Sequence, residues 1–218
     1  MRGNSRNISS NQSGLHEDLT ETVTKHLSTQ FQRPISSYSE EAFNYAVNRS
    51  NGKPWILDSG CGNGRSTATL SRFHPDAFVI GIDKSEQRLS HHNTEEGMND
   101  KYLLLRADLI DFFQLCSRHK IKITKHYILY PNPWPKKKHL MRRFHGSPVF
   151  KDIVSICQNI EVRSNWKTYL DEFKVALNLA GISSSVMKLP NLAQEKPLTS
   201  FEEKYLQSKQ QLWQLRSN

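Results

Sequence analysis

The chain has 218 residues, with 30 lysines and arginines against 21 aspartates and glutamates, for a formal net charge of +9 at neutral pH. That length suits one domain with a full core, and the charge fits a polyanionic partner. Three scattered cysteines, Cys61, Cys116 and Cys157, form neither a disulfide framework nor a zinc pattern, so a reducing compartment and no metal are expected; no apolar run approaches membrane-spanning length.

Residues 1–14 are mostly Ser, Asn, Gly and Arg with little to bury, so a disordered tail is expected. The start Met1-Arg2-Gly3-Asn4-Ser5-Arg6 lacks the apolar core of a signal peptide, which points to a cytoplasmic protein. Leu15, Leu19, Val23 and Leu27 recur every four residues and indicate a short amphipathic helix before Pro34. Residues 39–48 read as a second helix with Ser39 as N-cap and Gly52 beyond its end. These helices fill 15–52, and 53–218 forms the main domain, with no repeat and no linker dividing it.

Trp55-Ile56-Leu57-Asp58-Ser59 is a short apolar run carrying an acid near its end. Gly60-Cys61-Gly62-Asn63-Gly64 follows, then a helical stretch over 65–73. The glycines permit a tight turn and let a ligand approach bare backbone beside a helix N-terminus. Residues 77–82 form the next strand, closing on Asp83. An acid about 20 residues past such a loop is placed to accept hydrogen bonds from ribose hydroxyls. Strand, loop, helix, strand and acid in this order point to a nucleoside-type cofactor held by Gly60, Gly62, Gly64 and Asp83. The spacing G-x-G-x-G departs from the dinucleotide pattern, and the Walker lysine is missing. Asp58 would repel a pyrophosphate but suits an ammonium or a sulfonium, which favours S-adenosylmethionine over a nicotinamide.

A third strand is expected at 102–105, a helix at 109–118 and a fourth strand at 121–130. Helices at 149–156, 166–179 and 201–206 and strands at 160–163 and 184–189 complete the pattern. Such alternation predicts an α/β fold, a doubly wound and mostly parallel sheet covered on both faces.

After the fourth strand comes Tyr130-Pro131-Asn132-Pro133-Trp134-Pro135-Lys136-Lys137-Lys138-His139, then Arg142 and Arg143. Three prolines within five residues hold the backbone in an extended path that is neither helix nor strand. A loop stiffened this way holds Asn132 and Trp134 in place at low entropic cost, directly before a cationic cluster. It suits gripping one nucleobase and its phosphates; the plainer alternative is a proline-bounded loop with a solvated lysine run.

The segments Leu57-Asp58-Ser59-Gly60-Cys61-Gly62, Gly81-Ile82-Asp83 and Arg106-Ala107-Asp108 resemble the cofactor motifs of class I S-adenosylmethionine-dependent methyltransferases. The block from Pro131 to His139 with its arginines resembles the P-D-P-W-x-K-x-R-H motif of the tRNA guanine-N7 methyltransferases. Ser164-Asn165-Trp166 is similar to that family's T-D-W, and Thr199-Ser200-Phe201-Glu202 to its T-x-F-E. The resemblance runs from about Pro34 to the C-terminus. It implies a Rossmann-like single domain, S-adenosylmethionine as cofactor, tRNA as partner, a monomer or homodimer, and methylation of the variable-loop guanine at position 46.

Guanine N7 carries an in-plane lone pair and no proton, so its methylation requires no general base. What it requires is alignment with the methyl donor and acceptors that fix the guanine edge as the ring becomes cationic. The resemblance gives that role to the motif's acid, which here is Asn132; the acid of T-D-W is likewise Asn165. An amide oxygen accepts the same hydrogen bonds with no full charge, a difference of about 1 to 2 kcal/mol, or roughly 5- to 30-fold in rate. Asn132 reads alternatively as a turn residue bonding its own loop, and Asn165 as an N-cap. Asp108 is expected beside the adenine or as the cap of the following helix. Lys136, His139, Arg142 and Arg143 are expected on tRNA phosphate, and Trp134 on a base or packed as a lid. Thr199 and Glu202 are expected to close over the site, unless Glu202 is a surface acid of its helix, and Lys209 stands where the family usually has Gly. The functional alternatives are an RNA-binding relative with little turnover and a methyltransferase for another substrate.

Overall fold

The computed structural model describes residues 5–91, 98–99, 101–189 and 196–217. Five parallel strands form its centre: β1 (Trp55–Ser59), β2 (Phe78–Asp83), β4 (Tyr102–Arg106), β5 (Ile123–Leu129) and β6 (Ile160–Ser164). The two-residue β3 (Met98–Asn99) lies antiparallel on β4 at one edge. At the other, β8 (Trp213–Ser217) inserts antiparallel between β6 and β7 (Ser184–Lys188), giving the order β3-β4-β2-β1-β5-β6-β8-β7.

Alternate strand residues face opposite sides. Leu57, Ile80, Leu103, Ile128 and Val162 point into the larger core. It is covered by α1 (Leu19–Ser28), α2 (Ser37–Ser50), α5 (Leu109–Arg118), α6 (Phe150–Ile156) and α7 (Lys167–Leu179). Ile56, Val79, Tyr127 and Leu129 point the other way, against α3 (Arg65–Phe73) and α8 (Ser200–Gln207). A single-turn α4 (Glu86–Leu89) follows β2. The mostly parallel, doubly wound sheet is as expected. The N-terminal helices share its core: Phe43 meets Trp55 and Phe112 edge-on at ring-centroid distances of 6.2 and 5.7 Å.

Several details differ from the sequence reading. Helix α2 is capped at Ser36 rather than Ser39; Ser39 lies inside it, where its hydroxyl accepts the Asp108 N–H at 3.0 Å. Two 3-10 segments, Lys137–Arg142 and Phe144–Gly146, follow the proline loop. The largest correction concerns the N-terminal tail, whose described part from Ser5 onward is docked rather than free. Ser5 N–H donates to Ser208 Oγ at 3.0 Å, and the Gln210 side chain donates to Ser5 O at 2.9 Å. Ser10 Oγ donates to Pro135 O at 2.6 Å, and Asn11 accepts the Lys137 N–H at 3.0 Å. These short polar side chains replace apolar burial with hydrogen bonds to distant loops, and composition alone carries no sign of those partners.

Candidate active site

The chain runs from β1 outward through β2 to β4, then returns to the other side of β1 as β5. Ligands of such sheets bind beyond the strand C-termini at this reversal. In the parallel register Asp58 sits opposite Tyr127, so the glycine loop and the proline loop leave the same end of the sheet side by side. Between them opens a cleft of about 690 Å³ lined by Ser59, Gly60, Asp83, Asn132, Trp134 and Arg142. A smaller pocket of about 280 Å³ adjoins it, formed by Gly60, Gly62 and Asn63 on one side and Thr199 and Phe201 on the other.

Gly60, Gly62 and Gly64 have φ of 79°, 60° and 79°, a left-handed backbone that suits glycine. A Cβ at Gly60 or Gly62 would meet no atom within 4 Å, and both glycines line the smaller pocket. The Asp83 carboxylate accepts the Gly62 N–H at 3.0 Å and the Ser85 N–H at 2.8 Å, which fixes the loop to the end of β2. Arg88 pairs with the same carboxylate at 3.0 Å from an exposed position. Bare backbone, a fixed carboxylate and a cavity beside them fit a nucleoside cofactor.

Asp58 stands behind this loop rather than in it. It is 1% exposed and accepts from the Ser66 and Thr67 hydroxyls at 2.6 and 2.7 Å. Burial pushes its carboxyl up to about 6, against those two bonds, which pull it down. The expected direct role is thereby corrected to bracing the start of α3. Gly81 makes room for the brace, since a Cβ there would lie 2.2 Å from Thr67 Oγ1. Asp108 caps α5 through the Ile110 N–H at 2.9 Å and pairs with Arg33 and Lys84 at 2.9 and 3.0 Å. It lines neither cavity, so its capping alternative is the one observed.

The proline loop is bracketed by two bulky residues in left-handed conformation, Tyr130 at φ 53° and Trp134 at φ 45°. Each precedes a proline, which disfavours the right-handed helical region there, and such backbone strain is held only where the surroundings over-determine it. Asn132 is exposed on the cleft, and its side-chain oxygen accepts the Trp134 N–H at 3.3 Å, the turn bond foreseen as an alternative. Arg142 lies over the Trp134 ring at 4.7 Å, and His139 meets its edge at 5.4 Å. Burial, then the surrounding cations, push the His139 imidazole down. Lys136 and Lys138 are exposed, whereas Lys137 pairs with Glu17 at 2.7 Å.

Three residues expected at the substrate site are corrected. Arg143 is fully buried and paired with Glu172, and its guanidinium also donates to Trp134 O at 3.2 Å, which fastens the loop from beneath. Glu202 is fully buried on Arg163 and borders a neighbouring cleft instead of this one. Asn165 donates to Gln210 at 2.7 Å and lies outside the cleft lining. It is not the N-cap of α7 either, since that position is Trp166. Thr199 does line the smaller pocket and caps α8 through the Glu202 N–H at 2.9 Å. Sequence reasoning missed Arg88, Tyr169, Phe201 and Tyr205 as cleft residues. Only Phe201 had a signal, its place inside the Thr199 to Glu202 motif.

A family described as "Putative methyltransferase" matches residues 52–215. The chain belongs to this methyltransferase family. It is 32% identical over 112 residues to a tRNA (guanine-N(7)-)-methyltransferase of Metamycoplasma hominis, covering 50% of this chain and 52% of that protein. The corresponding protein of Acinetobacter baylyi is 25% identical over 71% of this chain and 66% of its own. That of Nitrosospira multiformis is 23% identical over 81% and 79%. The match thus spans about half to two-thirds of the first two relatives. Among solved structures, an antibiotic-related methyltransferase superposes with a TM-score of 0.58 at 14% identity, covering 89% of this chain and 98% of that one. The 16S rRNA methyltransferase KamB gives 0.56 at 17% identity, covering 85% and 94%. Both likenesses concern the fold, which this methyltransferase shares. No helix among its described residues is long and apolar enough to cross a membrane.

Proposed function

We propose that this methyltransferase, acting in the cytoplasm, transfers the methyl group of S-adenosylmethionine to N7 of the variable-loop guanine, position 46, of tRNA. The observation that carries this reading is the parallel register of Asp58 with Tyr127, which opens the glycine loop and the proline loop into one cleft. The names of the sequence relatives support the choice of tRNA and of N7.

Gly60, Gly62, Asp83 and Thr199 would hold the cofactor, which when bound supplies an electrophilic methyl group. Asn132 offers the remaining lone pair of its side-chain oxygen to the N1 or N2 hydrogen of the guanine edge while its turn bond to Trp134 keeps it aimed. N7 has no proton to remove, so no side chain acts as a base, and His139 serves as a contact. Arg142 stiffens the Trp134 ring and presents charge to the phosphates around the base. The rate gain comes from alignment and from acceptors placed where positive charge grows.

A second reading, an RNA-binding relative with little turnover, is favoured by one observation: the guanine-facing group is the neutral Asn132. Incubating the chain with unmodified tRNA and labelled cofactor, then mapping the product base, decides between them. N7-methylguanine above the level of a Gly62→Arg control is the expected outcome. RNA binding with no transfer above that control would leave the second reading in its place.

A further inference from the structure

A second cleft, of about 540 Å³, opens at the far end of α3, between Arg72, Phe73, Lys125, Tyr127 and Arg216. Ser66, in the first turn of the same helix, lines the glycine-loop pocket, so the two lie roughly 10 Å apart along the helix axis. Cations dominate it. Among the described residues lining it, Arg72, Lys125, Arg163, Lys196 and Arg216 face two carboxylates, Glu161 and Glu202. Glu161 is already shared by Arg163 at 2.9 Å, Arg216 at 3.2 Å and Lys125 at 3.7 Å, and Glu202 is taken up by Arg163 at 3.1 Å. Arg72 and Lys196 have no salt bridge among the described residues, so positive charge is left over and faces solvent. Beside Arg72, on the rim, Phe73 is 64% exposed.

Cations alone would suit any small anion. An aromatic ring left in water beside surplus cations is the combination that takes up single-stranded nucleic acid, whose bases stack while its phosphates are neutralised. We propose that this cleft binds an unpaired stretch of the substrate RNA, with a phosphodiester on Arg72, Lys125 and Arg216 and a base against Phe73. The proposal rests on the RNA reading of the site above and adds a second anchoring point. Glu202 connects the two places, since it sits in the first turn of α8 directly after Thr199 and Phe201 of the cofactor pocket.

The test is the double variant Arg72→Ala/Phe73→Ala, two exposed side chains whose removal leaves the buried Glu161 cluster intact. Its affinity for unmodified tRNA should fall about tenfold, and the slope of log affinity against log salt should shrink by about one. Melting temperature and the rate at saturating RNA should stay as in the unaltered chain, and Arg72→Lys/Phe73→Tyr should regain most of the affinity. A benzophenone side chain at position 73 should cross-link to tRNA. Unchanged affinity and slope, or no cross-link, would overturn the proposal. So would protection of the cleft by inorganic phosphate alone with RNA binding unaffected by the variants, which would make it a small-anion site. If the variants weaken RNA binding while the unaltered chain transfers no methyl group, the cleft stands and the proposed activity falls. If methyl transfer is seen and the variants bind as before, the reverse holds.

Discussion

Arg143 and Glu172 form an ion pair with neither side chain exposed, and the same guanidinium reaches the Trp134 carbonyl. Arg143 neighbours the exposed Arg142 in sequence yet is turned inward, so the cationic run splits into a gripping face and a supporting one. Glu172 also accepts from His145 at 2.9 Å, from the His16 N–H at 2.9 Å and from Gln12 at 2.5 Å. One carboxylate therefore gathers α7, the N-terminal segment and the proline loop.

Acid unfolding tests that carboxylate. Burial alone would raise the Glu172 carboxyl, but the hydrogen bonds from His145 and Arg143 outweigh it and hold it down at about 2. A carboxyl depressed on folding contributes stability that is full above its unfolded value of 4.5 and is lost as pH falls toward 2. Glu172→Gln leaves Arg143 buried without its partner, and should cost about 3 to 5 kcal/mol at pH 7. Urea midpoints of the two chains should converge below pH 3; a gap of constant size would show that Glu172 carries no such linkage.

Asp58 titrates in the opposite sense. Its folded value of about 6 lies above the ordinary 3.8, so its contribution is full below pH 3.8 and is lost as pH rises through 6. Asp58→Asn keeps acceptors for Ser66 and Thr67 and has no charge to bury. Its melting temperature should gain on the unaltered chain between pH 4 and pH 7. Calorimetry across that range would refute the burial argument by finding the difference flat.

Asn132→Asp restores a full charge on the guanine edge while its oxygen keeps the turn bond to Trp134. Single-turnover methyl transfer should rise roughly 5- to 30-fold, with melting temperature unaltered. A rate equal to or below that of Asn132 would show that this side chain does not meet the developing charge.

The lysines are not equivalent. Lys136→Ala and Lys138→Ala remove exposed cations and should each lower the salt slope of tRNA binding by about one. Lys137→Ala, which breaks the pair with Glu17, should change it little. Equal slopes for all three variants would mean that the run acts only as diffuse surface charge.

The sheet and its glycine loop were legible in the sequence because their signals are local. Apolar runs of strand length, glycines that must turn and an acid at a strand end are each read within a few residues. Asn132 and Trp134 were found the same way, from prolines that stiffen their own neighbourhood. What escaped depends on distant partners. Arg143 looks like its solvent-facing neighbours until Glu172, on another helix, is placed against it, and Asp58 looks like a ligand acid until α3 folds over it. The docked segment at Ser5 to Gln12 is polar apart from Ile8, so no hydrophobic periodicity marks it. Lys209, flagged only as a departure from the family's glycine, adopts φ 55°, the left-handed turn that glycine would take more easily.

Strand β8, almost the last stretch of chain described, is an interior strand, and among the described residues β7 has no other neighbour in the sheet. The ladder hydrogen bonds of β7 thus depend on residues 213–217 lying between it and β6. That margin is completed only when the end of the described chain is in place, and a chain cut short before Trp213 would forfeit two strands rather than one.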